Sequence, residues 1–308
     1  MESTLMQEIG YVATIGMFDG VHRGHQFVLQ HVADEARQRG LQSMAITFDK
    51  SGPQTLTPLD QKRLLLTKTG IDRIEVLTFN EALKQMTARE FMEQELRDRL
   101  NVKVLLTGYD NRFGHNRTEG FEDYVRYGKE LGIEVKSLPP APPLQRHTLT
   151  FRSEKERGDI VSSSLIRKLI ADGDIHKANE LLGNPYTILG CVEHGEHIGT
   201  KLGYPTANLV LVDKCQLIPA AGVYAVKIRL ENSVEWKHGM MNIGMRPTFD
   251  GQHQTLEVNV FRLKENLYGQ QLQVAFIERL RGEQRFDSIE ALKEQLRQDA
   301  IEAERILA

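Results

Sequence analysis

Hydrophobic positions follow two regimes along the chain. In the first, short apolar runs alternate with segments whose apolar residues recur at helical spacing. Tyr11 to Gly16 predicts a short buried strand. His25 to Arg39 predicts a helix, with Val28, Leu29, Val32 and Ala36 spaced along it and Gly40 as its stop. Ser43 to Phe48 predicts the next strand, completing a strand–turn–helix–strand unit. The rhythm continues with strands at Ile74 to Phe79, Lys103 to Thr107 and Ile133 to Leu138, and helices at Ala88 to Leu100 and Glu119 to Leu131. That alternation predicts a parallel, doubly wound, Rossmann-like α/β sheet. Four of the ten prolines lie between Pro139 and Pro143, and a helical pair follows at Ser163 to Ala171 and Asp174 to Leu182. At Gly183-Asn184-Pro185 the pattern changes. Strands then dominate, at Tyr186 to Val192, Gly222 to Leu230, Lys237 to Ile243, Thr255 to Phe261 and Gln271 to Arg279, as expected of an antiparallel sheet or barrel. A last helix, Ile289 to Leu307, has Asp287 or Ser288 as its N-cap. The expected domains are 1–184 and 185–308.

Composition narrows the classes. At roughly 150 residues per domain, 308 residues suit two domains, and 40% hydrophobic content lets each bury a core. The net charge of −3 lacks the basic footprint of a nucleic-acid binder, so no nucleic-acid partner is expected. No apolar run approaches the ~18 residues of a membrane span, and Met1 to Gly10 has no signal-peptide pattern. Cys191 and Cys215 are too few for a disulfide scaffold and read as reduced packing thiols, so the expectation is a cytoplasmic protein with no membrane partner. A homo-oligomer stays open.

Candidate chemistry is concentrated in two places. Between the first strand and first helix lies Gly16-Met-Phe18-Asp19-Gly20-Val-His22-Arg-Gly24-His25. One helical turn brings His22 and His25 to the same side, at a helix N-terminus whose free N–H groups favour an anion. Gly20 and Gly24 let the backbone approach a phosphate, and Gly16, Phe18, Asp19 and Gly24 are candidate nucleotide contacts. An H-x-G-H element at such a switch points to adenylyl or cytidylyl transfer, with the imidazoles donating to the α-phosphate and the departing pyrophosphate. The bland reading is a strand–helix turn with two solvated histidines. Val161-Ser162-Ser163-Ser164-Leu-Ile-Arg167 opens a later helix. It is a cap by default, and beside the histidines it is a phosphate site made of Ser163, Ser164 and Arg167. In the second half, Gly195, Gly199 and Gly203 space a polar loop ahead of Pro205-Thr206-Ala207-Asn208. Thr206 and Asn208 offer neutral oxygens to Mg²⁺ that arrives with substrate phosphates. Glu257, in the alternating run Leu256-Glu257-Val258-Asn259-Val260, is a candidate general base if it faces a cavity and a solvated strand residue if it does not. His194 and His197 have zinc-like spacing but no supporting pair, and solvated loop residues are the preferred reading.

At these motifs the chain resembles the prokaryotic bifunctional riboflavin kinase/FMN adenylyltransferase family, also called FAD synthetase. The resemblance runs nearly end to end, through Gly16 to His25, Gly108 to Gly114, Val161 to Arg167, Gly203 to Asn208, Gly222-Val-Tyr224, Asn242 to Thr248, Leu256 to Val258, Leu267 to Gly269 and Leu280-Arg281. It implies a nucleotidyltransferase-type α/β domain followed by a six-stranded riboflavin kinase β-barrel with a C-terminal helix. It implies phosphorylation of riboflavin by ATP to FMN, then AMP transfer from ATP to FMN, giving FAD and pyrophosphate. The small-molecule partners would be riboflavin, FMN, FAD and ATP, with Mg²⁺ as cofactor. On the matching positions, His22, His25, Ser163, Ser164 and Arg167 would serve the adenylyl step, with Phe48 and Asp110 near flavin and nucleotide. The glycines of the 195–203 loop, Thr206 and Asn208 would hold Mg-nucleotide in the kinase step, and Glu257 would be the base for the ribityl 5′-hydroxyl. This sequence departs from the family pattern at Asp49 to Pro53, at Asn111 where an aromatic residue is usual, and at Thr200 where an arginine is usual; the segment Pro139 to Asp159 is longer. Two alternatives remain: a riboflavin kinase with an impaired adenylyltransferase domain, and a flavin- or nucleotide-binding regulator without chemistry.

Overall fold

The computed structural model describes residues 9–108, 111–139, 142, 161–193, 204–248, 251–263 and 265–308, without the side chains of 246–248 and 251–253. They form two compact units.

The first unit is a five-stranded parallel sheet in the order β3-β2-β1-β4-β5. Its strands are β1 (Tyr11–Ile15), β2 (Gln42–Phe48), β3 (Arg73–Leu77), β4 (Val102–Gly108) and β5 (Glu134–Leu138). Every residue of β1 is buried, because helices cover both faces. Tyr11, Ala13 and Ile15 meet Phe91, Met92, Leu96 and Tyr124 on one face. Val12 belongs to the other face, with Leu29, Val32 and Ala36 of α1 (Arg23–Arg39) and Leu66 of α2 (Leu59–Thr67). Helix α1 ends at Gly40, which is left-handed (φ 66°) and caps the carbonyls of Ala36 and Arg37. The chain winds from β1 outward through β2 and β3, then returns to β4 and β5 on the other side. The crevice at the carboxyl ends of β1 and β4 is therefore the topological switch point, where such sheets bind ligands. Three elements differ from the sequence expectation. α2 and the short α3 (Glu81–Gln85) are additional, and the single helix expected over Ala88 to Leu100 is α4 (Ala88–Phe91) continued as a π-helix over Met92–Arg99, while α5 (Phe121–Leu131) falls within the helix expected over Glu119 to Leu131.

The second unit is a closed antiparallel barrel in the order β10-β7-β6-β11-β8-β9. Its strands are β6 (Thr187–Glu193), β7 (Ala207–Leu211), β8 (Gly222–Leu230), β9 (Lys237–Thr248), β10 (Gly251–Val260) and β11 (Gln271–Arg281). On β8, Tyr224, Val226 and Ile228 alternate with Val223 and Ala225, and Tyr224 meets Phe276 of β11 edge to face at 5.3 Å. Val223 and Ala225 instead join Ala303 and Leu307 of the C-terminal helix α8 (Ile289–Leu307). Ser288 is the N-cap of α8, its hydroxyl accepting from the Ala291 N–H.

Two segments lie on a different side of the division than the 184/185 boundary implies. Helices α6 (Ser163–Asp172) and α7 (Ile175–Leu182) group with the barrel. The reason is polar stitching: Asn179 Nδ2 donates to the Phe276 carbonyl at 2.8 Å, the Tyr186 N–H donates to Asn179 Oδ1 at 2.7 Å, and the Ala220 N–H donates to the Ile170 carbonyl at 3.3 Å. Residues 53–56 also belong to the second unit. Thr55 forms a parallel bridge with Gln216, donating to the Cys215 carbonyl and accepting from the Leu217 N–H, both at 2.9 Å. The chain thus passes into the second unit at 53–56 as well as after Ser162.

Candidate active sites

The turn after β1 is built from strained backbone. Phe18 (φ 48°) and Val21 (φ 39°) are both left-handed, which is costly for an aromatic and a β-branched side chain, and Gly20 sits between them at φ 85°. The surroundings hold this shape. The Gly20 N–H donates to Thr57 Oγ1 at 2.9 Å, and Asp19 Oδ1 accepts from the Thr57 N–H at 3.0 Å. Gln26 Nε2 donates to the Val21 carbonyl at 2.8 Å. Phe18 is buried and its ring meets His25 edge-on at 5.2 Å. Gly16 lies under the same ring, where a Cβ would come within 3.2 Å of it. Asp19 therefore braces the turn through Thr57.

His22 and His25 are brought together, with rings stacked at 3.6 Å and 16° apart. His22 is the N-cap of α1, its Nδ1 accepting the His25 backbone N–H at 3.3 Å, so in the neutral ring the proton resides on Nε2. His25 Nδ1 is buried and has no hydrogen-bond partner among the described residues. Burial, then the neighbouring His22 and Lys62, hold the His25 imidazole well below the usual histidine range. The first turn of α1 carries no acidic residue, so no carboxylate of its own opposes an anion at the positive end of the helix dipole. At Gly24 a Cβ would stand 3.2 Å from the His22 ring and 3.4 Å from the Val161 carbonyl, so a side chain there would crowd the histidine.

Phe48 closes β2 and meets Phe79 edge-on at 5.6 Å, with Lys50 Nζ 4.7 Å from the Phe79 ring. Asn111 bonds locally, Nδ2 donating to the Ile15 carbonyl at 2.5 Å and so tying the segment after β4 to the end of β1. Asp110 lies outside the described residues. Ser163, Ser164 and Arg167 open α6 in the second unit, where Arg167 Nε donates to the Gln54 carbonyl at 3.0 Å.

The barrel carries the second site. Directly opposed residues on neighbouring antiparallel strands share a face. The register places Val223, Asn242, Glu257, Asn208 and Glu193 in one row across β8, β9, β10, β7 and β6. Val223, Asn242 and Glu257 of that row line a cavity of ≈ 360 Å³. Its other walls are Tyr204, Thr206, Met240, Asn259, Arg281, Glu283, Gln284 and Phe286, with Leu292 and Leu296 of α8. The lining combines apolar side chains with amide and hydroxyl groups, two carboxylates (Glu257 and Glu283) and the Arg281 guanidinium. Glu257 is half-buried, while Leu256 and Val258 are buried on the opposite face of β10. Asn259 is buried and donates to the Pro205 carbonyl at 2.6 Å, which fixes the approach to Thr206. Thr206 thus lines the cavity and Asn208 sits beside Glu257 in register. Gly195, Gly199 and Gly203, together with His194, His197 and Thr200, lie outside the described residues. Cys191 is half-buried and Cys215 exposed, both as free thiols.

Sequence reading missed the part of this site contributed by α8. Arg281 reaches Asp299 of that helix through Nε at 3.0 Å to both carboxylate oxygens and through its terminal nitrogen at 2.8 Å, and Gln295 adds a bond to Asp299 at 2.9 Å. With side-chain exposures of 15% and 4%, this is a buried, bidentate pair. Asp299→Ala should destabilise the barrel by about 3–5 kcal/mol, because it leaves the guanidinium buried without its partner. A denaturant midpoint unchanged from wild type would refute that.

Comparison with known proteins agrees with both halves. Residues 5–149 match the FAD synthetase family and residues 182–307 match the riboflavin kinase family. The bifunctional riboflavin kinase/FMN adenylyltransferase of Escherichia coli K12 is 37% identical, over 96% of this chain and 92% of its own length. This chain belongs to the bifunctional riboflavin kinase/FMN adenylyltransferase family. The corresponding protein of Bacillus subtilis is 33% identical over 95% of this chain and 91% of its own. A solved structure from Streptococcus pneumoniae, described as a macrolide-efflux protein, superposes with a TM-score of 0.83 at 31% identity, covering 96% of this chain and 93% of that one. Among the described residues of this family member, no helix is long and apolar enough to cross a membrane.

Proposed function

We propose that the two activities of the family are divided between the two units, with the cavity at Glu257 phosphorylating riboflavin and the turn at His22 and His25 transferring AMP. The chain is an ATP-dependent transferase that makes FMN from riboflavin and FAD from FMN. We place both reactions in the cytoplasm.

In the kinase step, the apolar wall of Val223, Met240, Phe286 and Leu292 suits the flat ring of a flavin, and the polar groups suit its ribityl chain. Glu257 takes the proton of the terminal hydroxyl as that oxygen attacks the γ-phosphorus of ATP, the bond to the β-phosphate oxygen breaks and ADP departs. ATP-dependent phosphoryl transfer requires a divalent metal. The donors here fit Mg²⁺, being the hydroxyl oxygen of Thr206 and the amide oxygen of Asn208, hard neutral ligands that leave room for phosphate oxygens. Bound there, it would neutralise phosphate charge.

In the adenylyl step, a phosphate oxygen of FMN attacks the α-phosphorus of ATP and pyrophosphate departs. The two imidazoles serve as N–H donors at the N-terminus of α1 where that charge develops, with burial favouring the neutral form of His25. We assign Phe48 to the flavin side, and Gly16, Phe18, Asp19 and Gly24 to shaping the nucleotide turn. We assign Ser163, Ser164 and Arg167 to phosphate, Asp110 to the nucleotide and the 195–203 glycines to the kinase nucleotide.

The observation that carries this assignment is the pairing of a strained, anion-ready helix N-terminus in one unit with a carboxylate-bearing cavity in the other. It is tested by supplying riboflavin and Mg-ATP and separating the products over time. FMN should appear first and FAD after a lag. FMN that accumulates without conversion would instead indicate an impaired adenylyltransferase, and bound ligands without turnover would indicate a regulator.

A further inference from the structure

Lys62 on α2 is only 4% exposed. Its ammonium donates to two backbone carbonyls, Met17 at 3.2 Å and Phe48 at 3.0 Å. These are the residues at which the chain leaves β1 and β2, at the carboxyl edge of the sheet. The Met17 carbonyl also accepts from the Thr47 hydroxyl at 3.2 Å. Among the described residues Lys62 has no ion-pair partner. Asp19 and Asp49 face it, but Asp19 Oδ1 is engaged with Thr57 and Asp49 Oδ1 accepts from the Phe79 N–H at 2.8 Å.

Holding a buried ammonium with neutral carbonyls alone is costly. Two carbonyls can be satisfied by a neutral donor such as an amide without burying a charge. The charge therefore needs a reason of its own, and the location supplies one. Lys62 fastens the residue just before the strained pair Phe18 and Val21, and lies close enough to His25 to depress its protonation. A cation set behind a turn built for phosphates, faced by two carboxylates that are bonded elsewhere, keeps a positive charge directed at a bound nucleotide.

We propose that Lys62 is a positioning residue of the adenylyl-transfer site, fixing the turn after β1 and supplying a positive charge behind the phosphates. The inference rests on the assignment of AMP transfer to this turn. A purely structural role needs the two hydrogen bonds alone; the proposed role needs the charge as well.

Three variants separate these. Lys62→Gln keeps a donor and removes the charge, Lys62→Arg keeps both, and Lys62→Met removes both. With FMN and Mg-ATP as substrates, Lys62→Gln and Lys62→Met should lower kcat for FAD formation by roughly 10–10²-fold, and Lys62→Arg should recover most of it. Riboflavin phosphorylation in the same full-length variants should match wild type, reporting on the folded second unit. The His25 ring, faced by His22 and Lys62, should also titrate at higher pH in Lys62→Gln, read from its imidazole proton shift in NMR spectra. Wild-type FAD formation by Lys62→Gln would overturn the proposal, leaving a hydrogen-bonding role. If instead the His22→Ala/His25→Ala variant keeps wild-type FAD formation, the assignment of the turn fails and the proposal fails with it. A dead histidine variant beside a fully active Lys62→Met removes Lys62 alone.

Discussion

Replacing Glu257 by Gln should lower kcat for riboflavin phosphorylation by roughly 10²–10⁴-fold, the range for loss of a general base. The substitution preserves shape and one acceptor oxygen and replaces the other by an amide donor, so the cavity keeps its walls. The residues beside Glu257 in the cross-strand row are Asn208 and Asn242, which are uncharged and cannot accept the proton in its place. KM for riboflavin should change little, because the apolar wall assigned to the ring is untouched. FMN supplied directly should still become FAD at the wild-type rate, since that step is assigned to the other unit. The measurement is a chromatographic assay of FMN from riboflavin and of FAD from FMN in the same preparation. Near-normal phosphorylation would make Glu257 an ordinary strand residue. Thr206→Ala and Asn208→Ala are expected to differ in kind, raising KM for Mg-ATP as well as lowering kcat, because their proposed role is to hold the nucleotide's metal.

The strand period made the second site partly legible. In Leu256 to Val260 the alternation separates Glu257 and Asn259 from Leu256 and Val258, and the barrel keeps that separation. The wall that faces the strands was not legible from strand patterning. On β8 both faces are apolar, because one packs inside the barrel and the other against α8, so the run predicts a strand without saying which side opens to a ligand. Asp299 reads as one more charge on an amphipathic helix until its distance to Arg281 is known. Lys62 was missed for a related reason. α2 carries Asp60, Lys62 and Arg63 in succession, which looks like a polar loop after Pro58, and a buried lysine counts as polar in any pattern. At the first site, the glycines and histidines were plain in the sequence. The left-handed Phe18 and Val21 were not, since their conformation is imposed by Thr57 and Gln26 from outside the turn. The grouping of α6 and α7 with the barrel was likewise hidden, because it depends on Asn179 reaching β11 and on the Ala220 N–H reaching the Ile170 carbonyl.

The paired substitution His22→Ala with His25→Ala should reduce FAD formation from FMN by at least the roughly 10²–10³-fold typical of losing one preorganised donor to a developing anion. The two losses should not multiply, because the stacked rings act as one unit. The effect must be separated from damage to α1, since His22 also caps that helix through Nδ1. His22→Asn makes the separation. Asparagine is among the better N-caps, so the helix should keep its start while the imidazole is lost. If chemistry resides in the ring, His22→Asn should lose adenylyl transfer with an unchanged unfolding midpoint, and His25→Ala should do the same despite leaving the cap intact. The alanine pair should in addition show a modest stability loss, of about 0.5–2 kcal/mol for the cap. Riboflavin phosphorylation in all of these variants should remain at wild type, so FMN should accumulate where FAD formed before. Equal loss of both activities in a folded variant would contradict the division of labour between the units. Full FAD formation by His22→Asn would reduce His22 to a helix cap and leave the phosphates to the N–H groups of α1 and to His25.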